Sequence, residues 1–306
     1  MNDTLTTAVW ARLLKGELLE GLPLGERDGR IDLHGLRAPD PTVLRTLEVA
    51  GDRMSLLDLK SVASDVPWRR LDFTGARLNG LRLTHVVAED CIFDDCEMRD
   101  LRMWACSIRK TSFKGANLRE AVLGAVLDDR LNSFSDVDFR GTDLRRSAYK
   151  ACSFTDCDFS GARLENLDFQ SSAFIRCRFA GELSNVMFYR RGFGCEAFPP
   201  NDMEDVDFSS ATFRDVDFRG LDLERVVLPV NENYLRVPND AVTFHFLVEM
   251  LEARGDNGSA SIAETLREHR RWADSGQEHF SLNIGHLVEF GGTDAFEALR
   301  RALQKH

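Results

Sequence analysis

Between Leu71 and Leu228 a large apolar residue recurs at every fifth position. The first run goes from Phe73 to Leu123, the second from Phe134 to Phe179 and the third from Phe188 to Leu228, with a one-residue slip of phase at each break. Of the thirty centres in these runs only Ala88 is small. Sixteen of the 21 Phe lie on centres, where chance puts about one in five. A period of five is neither the 3.6 of a helix nor the 2 of a strand. It requires a chain that turns a corner every five residues and points two of the five inward.

The other slots have characters of their own. Two residues before a centre the side chain is small or thin, as at Cys91, Ala116, Val137 and Ala211. Six of the seven Cys (Cys91, Cys96, Cys106, Cys152, Cys157 and Cys177) occupy this slot. Their spacing is set by the repeat rather than by the close pairs of a zinc site, so they read as reduced, buried small residues. Cys195 is off phase. One residue before a centre is often Asp or Asn, which suits hydrogen bonding at a corner, and two after is often Gly.

Segments such as Gly115-Ala116-Asn117-Leu118, Cys157-Asp158-Phe159-Ser160-Gly161 and Val216-Asp217-Phe218-Arg219-Gly220 resemble the pentapeptide-repeat family, whose motif is roughly Ala-(Asp/Asn)-Leu-X-X. The resemblance implies an all-β solenoid, a right-handed quadrilateral β-helix with the centres stacked inside. Thirty centres at four per coil make seven or eight coils, a rod roughly 35–40 Å long at strand spacing. One coil cannot hide its own centres, so coils must stack and both ends need caps.

Three regions follow. Residues 1–70 read as an N-terminal mixed helix and strand cap. A helix is expected from Asp3 to about Glu20, a repeat-like strand at Ile31–Leu36, a short helix at Thr42–Val49 and a partial strand at Ser55–Val62. Residues 71–230 are the repeat. It is interrupted across Gly124–Leu131 and Gly181–Leu183, and Tyr189–Asn201 stays on phase but has the Gly and Pro content of a loop. Phe193 and Phe198 in that loop are either core or anchors of a protrusion. Residues 231–306 read as a C-terminal helical unit, a cap with a possible dimerisation role. Helices are expected at Asp240–Ala253, from a capping box at Ser261–Glu264 to Trp272, and from Thr293 onward; Gln277–Phe290 is ambiguous.

Charge and motifs narrow the function. The formal net charge is −11, which disfavours direct binding to nucleic acid or to an anionic membrane. The opening residues lack the pattern of a secretory signal, and with free thiols this points to a cytoplasmic protein. No catalytic motif, metal-ligand set or cofactor loop is present, so a non-enzyme without cofactor or metal is expected. His279 and His286 could share a helix face but make no site alone. The family resemblance implies a DNA mimic that binds DNA gyrase or topoisomerase IV and modulates it or protects it from a poison; a scaffold for an unrelated protein partner is the alternative. Residues 71–230 carry 27 Asp plus Glu against 21 Lys plus Arg. The expected acidic contact surface is Asp202, Glu204, Asp205, Asp207, Asp215, Asp217, Asp222 and Glu224. Stacking by twenty puts Arg99 and Arg119 in one outward column, with Arg140 next.

Overall fold

The computed structural model describes residues 2–38, 62–124, 126–192, 198–273 and 276–304. The helix expected at Thr42–Val49 and nearly all of the strand expected at Ser55–Val62 lie outside these residues, as do Phe193 and Cys195. From Val62 onward, short strands pair in parallel with strands one coil away. Leu83 partners Met103 and Ala88 partners Ile108. Single bridges from Asp72 to Ile92 to Ser112, and from Arg77 to Glu97 to Asn117, complete two further ladders. Four parallel ladders thus run along the stack, one for each pentapeptide of a coil. The period of five is the length of one side plus its corner.

The corners explain the slots. Gly75, Gly80, Gly115, Gly141 and Gly161, each two residues after a centre, have φ between +65° and +71°, where an L side chain is disfavoured. Asp90, Asp95, Asp100, Asp136, Asp156, Asp205 and Asp215 take the same left-handed conformation in other coils. The Asp before the centre caps the corner, as expected. Asp72, Asp158 and Asp207 each accept the backbone N–H two residues on, at 2.9, 2.8 and 2.8 Å.

Inside, the centres form continuous columns. Phe73, Phe93, Phe113, Phe139, Phe159, Phe179 and Phe208 stack ring on ring, within 14° of parallel and with centroids 4.7–5.5 Å apart. Those distances bracket the 4.7–4.9 Å spacing of paired strands. A second column runs Phe134, Phe154, Phe174, and a third runs Tyr149, Phe169, Phe188, Phe218. All six thin-slot Cys are buried and free, and burial raises the thiol pKa of Cys91, Cys96 and Cys106 to about 12. They do more than fill space. Each thiol faces the backbone carbonyl of a centre in the preceding coil, Cys91 that of Trp68 and Cys106 that of Leu83, both at 3.4 Å.

The first interruption is larger than a one-residue slip. Ile108 pairs with Phe134 and Thr111 with Val137, an offset of 26 instead of 20, so six residues leave the coil. They form a tight excursion in which Leu127 and Arg130 exchange backbone hydrogen bonds of 3.0 and 2.9 Å around Asp128 and Asp129. The reason for the discrepancy is arithmetic: six extra residues change a five-residue phase by one. His85 holds the excursion from below, with Nδ1 3.1 Å from Asp65 and Nε2 3.4 Å from Asp128. The second interruption is a one-residue deletion, since Leu164 pairs with Leu183. This makes Leu183, fully buried, a centre.

The third irregularity left no mark on the phase. Leu183 and Phe188 pair with Phe213 and Phe218, an offset of thirty, and Ile175 bridges to Glu204. Ten residues therefore leave the coil between Phe188 and Met203, and ten is a multiple of five. Phe198 lies in this excursion, half-buried, and is not a centre; the next is Met203, fully buried.

At the N-terminal end α1 (Asp3–Leu13) is capped by the Asn2 side chain. It ends well before Glu20, the end expected from the sequence. Trp10 meets Trp68 edge-on at 6.4 Å, and Trp68 lies tilted on Phe73 at 5.6 Å. The aromatic column is thereby closed by two indoles. The C-terminal unit has its own apolar core, which includes Leu247, Leu251, Ile262, Leu266, Phe280, Leu287 and Leu299. Its helices are α2 (Ala241–Glu252), α3 (Asn257–Trp272), α4 (Ile284–Gly291) and α5 (Thr293–Leu303). It is not purely helical: Tyr234–Pro238 and His279–Asn283 pair as an antiparallel two-stranded sheet. His279 is therefore on a strand and His286 on α4, and the two share no helix face. The expected capping box at Ser261 is also displaced. α3 starts a turn earlier, with Asp256 accepting from Ser259 N at 2.8 Å, because Gly258 lets the first turn pass close to the backbone of Gly291.

Candidate partner-binding surfaces

The structure divides the eight acidic residues singled out from the sequence. Asp202, Glu204, Asp205, Asp222 and Glu224 gather on one side of the last coils, with Asp207 round the next corner. The contacts that fix this arrangement are the pairing of Ile175 with Glu204 and the arginine bridges Arg225 to Glu204 and Asp205, and Arg236 to Asp222 and Glu224. Asp217 belongs to another face, in register with Met187, and Asp215 is at the corner before it.

Much of the acidic face is ion-paired within the chain. Arg225 reaches Asp205 at 3.0 Å and Glu204 at 3.1 Å. Arg236 reaches Asp222 at 2.8 Å and Glu224 at 3.0 Å, and Arg190 pairs with Asp202. One coil earlier Arg176 binds Asp156 at 2.7 Å and holds that carboxyl below the usual carboxylate range. Asp207 is lowered chiefly by its hydrogen bond from Ser209. Sequence reasoning counted the acids by position and missed these partners. A signal existed, because Asp205 and Arg225 are twenty apart, one coil.

The basic column is also corrected. With six residues out of the coil, Arg119 is followed by Arg145, whose carbonyl accepts from Glu120 N, while Arg140 follows Lys114, its carbonyl accepting from Gly115 N. Arg99 sits 3.4 Å from Glu120, and Arg145 is bound to Asp143 at 2.7 Å. The column is therefore interleaved with carboxylates rather than being a free basic stripe.

The C-terminal unit seals the last coil through a dense contact. Ser281 N donates to Leu221 O at 2.8 Å, Gln277 Nε2 to Gly220 O at 2.8 Å, and Trp272 meets Tyr189 edge-on at 4.7 Å. Arg219 binds both Asp217 at 2.8 Å and Glu268 of α3 at 3.2 Å. Beside this contact lies a cleft of about 480 Å³ between the Val206–Arg219 strand, α3 and α4. Among the described residues no group of His, Cys, Asp and Glu is arranged to hold a metal ion, and no helix is long and apolar enough to cross a membrane.

The family model for pentapeptide repeats matches eight copies, over residues 150–181 and 202–228. This chain carries pentapeptide repeats. The gap between the two matched segments spans the deletion at Leu183 and the ten-residue excursion. No curated protein matches the chain. Among solved structures, the chain is similar to a trypsin-treated variant of QnrB1, a plasmid-mediated fluoroquinolone resistance protein, at 16% identity over 61% of this chain and 88% of that one, with a TM-score of 0.26. It is also similar to HetL, involved in heterocyst differentiation regulation in the cyanobacterium Nostoc, at 12% identity over 56% and 90% with a TM-score of 0.22. Rfr23 from the cyanobacterium Cyanothece is 9% identical over 64% and 87%, with a TM-score of 0.19.

Proposed function

We propose that this chain is a non-enzymatic binding protein, a right-handed four-sided β-helix that acts as a DNA mimic toward a bacterial type II topoisomerase. On this reading DNA gyrase or topoisomerase IV receives the acidic side of the rod in its basic DNA saddle, and is modulated or protected from a poison. The contact residues are Asp202, Glu204, Asp205, Asp207, Asp215, Asp217, Asp222 and Glu224. The observation that carries the reading is the gathering of Asp202, Glu204, Asp205, Asp222 and Glu224 on one side of the last coils. The reading requires a cytoplasmic protein, and it includes a homodimer formed through the C-terminal helices, which sedimentation would test.

A second reading, a scaffold for an unrelated protein partner, is favoured by the ion pairs. Duplex DNA presents one charge per ~1.7 Å of axis. A face whose carboxylates are held by Arg190, Arg225 and Arg236 is well below that density. A supercoiling assay separates the two. Under the first reading the added protein inhibits gyrase or rescues it from a poison. Neutralising Asp202, Glu204, Asp205, Asp222 and Glu224 together then weakens the effect, while Arg99→Ala does not. Indifference of gyrase in both modes favours the scaffold.

A further inference from the structure

One side of the last full coil carries no further strand. On the side before it the stack continues, since Val206 and Asp207 pair with Val226 and Val227, twenty residues on. Continued at that step, Asn231 would lie over Ala211 and Asn233 over Phe213. The chain turns instead, with Glu232 N donating to Pro229 O at 3.0 Å. Tyr234 then meets Phe218, only sixteen residues back, edge-on at 5.6 Å. A path four residues short of a coil cuts the corner and leaves the side formed by residues 211–215 bare.

Earlier coils show what that side lacks. Leu78 N donates to Glu97 O at 2.7 Å, Glu97 N to Ala76 O at 2.9 Å and Gly80 N to Arg99 O at 2.8 Å. Phe213, Ala211 and Asp215 hold the slots of Leu78, Ala76 and Gly80 in the same ladder, in register through Leu164 and Leu183. Phe213 N, Ala211 O and Asp215 N therefore point away from the stack. Among the described residues no backbone group of another element pairs with them. A strand edge left in this state is a template for another strand. The apolar column is open at the same place. Phe213 is half-buried, whereas the other Phe centres among the described residues are buried. A cleft of about 400 Å³ lies there, lined by Phe213, Asp215, Val216, Glu232, Asn233 and His286.

The rim sets the charge of what fits. Asp215 is exposed and makes no ion pair among the described residues. Glu232 accepts from the Asn283 amide at 3.0 Å rather than from a cation. Arg214 is directed to Glu182 of the coil below, at 3.8 Å.

We propose that this bare side accepts an extended segment of a partner polypeptide as a parallel strand. The segment has a small residue over Ala211, an apolar residue two further on over Phe213, and a basic residue two further still beside Asp215. Its backbone repeats the ladder. The residue before the apolar one donates its N–H to Ala211 O and accepts from Phe213 N, and the residue after the apolar one accepts from Asp215 N. The intervening side chains face solvent. Of the acidic residues proposed for the topoisomerase contact, only Asp215 takes part, and the site stands or falls without that contact.

The probe is acetyl-Ala-Thr-Leu-Thr-Arg-amide, titrated to millimolar concentration into the full chain labelled with nitrogen-15. Saturable shifts of the Phe213 and Asp215 backbone amides are expected. Methylating the backbone nitrogen of the first threonine removes the donor to Ala211 O and should weaken binding at least tenfold. Replacing the arginine by glutamate should weaken it at least fivefold. Asp215→Asn, which suits the same left-handed corner, should narrow that preference. No saturable shift, or shifts confined to other amides, overturns the proposal. So does a methylated or a glutamate peptide that binds as well as the probe.

Discussion

Asn132 and Asn201 occupy the same slot in different coils, two residues before the centres Phe134 and Met203, and neither has any exposed surface. Each stands where the chain re-enters the coil after an excursion. Asn132 Nδ2 donates to Met103 O at 2.9 Å and Leu123 O at 2.7 Å, while its Oδ1 accepts from Cys106 N at 2.7 Å. Asn201 accepts from Phe174 N at 3.2 Å and Met203 N at 3.1 Å and donates to Tyr189 O at 3.3 Å. An excursion strands backbone groups that the ladder otherwise pairs, and a buried amide can donate two bonds as well as accept there, where a hydroxyl donates only one. Replacing Asn132 by Ala should destabilise the stack by about 2–4 kcal/mol, since buried groups lose their partners. Ser210→Ala, an exposed position, should cost roughly 0.5 kcal/mol or less. Urea denaturation of the two variants checks the difference, and equal midpoints would refute the role.

The ten-residue excursion should be dispensable. Phe169 and Phe174, directly under Phe188 and Met203, are five positions apart, and deleting residues 191–200 gives the upper coil the same spacing. The neck is already closed, with Asn201 N donating to Arg190 O at 2.9 Å. The deleted protein should fold with its melting temperature changed by less than about 5 °C. Deleting nine residues instead would put every later centre out of register and should abolish cooperative unfolding, as followed by circular dichroism.

Docking of the C-terminal unit depends on a single missing side chain. Gly220 has φ +68°, and a Cβ there would come within 2.3 Å of the Trp272 carbonyl carbon. Both the backbone conformation and the close approach exclude a methyl group. Gly220→Ala should therefore loosen α3 from the last coil. Faster tryptic cleavage between the two parts is the expected result, with the far-ultraviolet dichroism of the stack retained; unchanged cleavage kinetics would argue that the contact tolerates the methyl.

His269 gives stability a pH dependence with a definite sign. Burial is the main cause holding its imidazole below the ordinary value of 6.5, outweighing the opposing pull of Asp217. The unfolded chain takes up this proton as pH falls through about 6.5 while the folded chain does not, so the contribution is whole above that point and lost below it. Denaturation midpoints should fall between pH 7.5 and 5.5, and His269→Gln should remove part of that fall. A variant with the full wild-type slope would assign the effect elsewhere.

How much of this was legible beforehand can be read from particular residues. Phe73, Phe93 and Phe113 stack because each is twenty residues from the last, as do Phe139, Phe159 and Phe179; joining the two runs, and adding Phe208, took the tertiary structure. The helix beginning at Ala241 was likewise written in Phe244, Leu247 and Leu251, all buried against the unit's core. The short strand His279–Asn283 was not, because its partner Tyr234–Pro238 is more than forty residues away. Nor was the neutralised acidic face, because Arg236 reaches Asp222 only once the C-terminal unit has folded back onto the coil.

A five-residue period by itself determines which side chains face the axis, because corner and side recur with the chain's own step. It reports insertions only as remainders: six residues showed as one, and ten as none. What left the coil, which carboxylates met arginines, and how His269 came to lie against Asp217 were decided by tertiary structure. Those outcomes depend on distances between parts of the chain that no local repeat encodes.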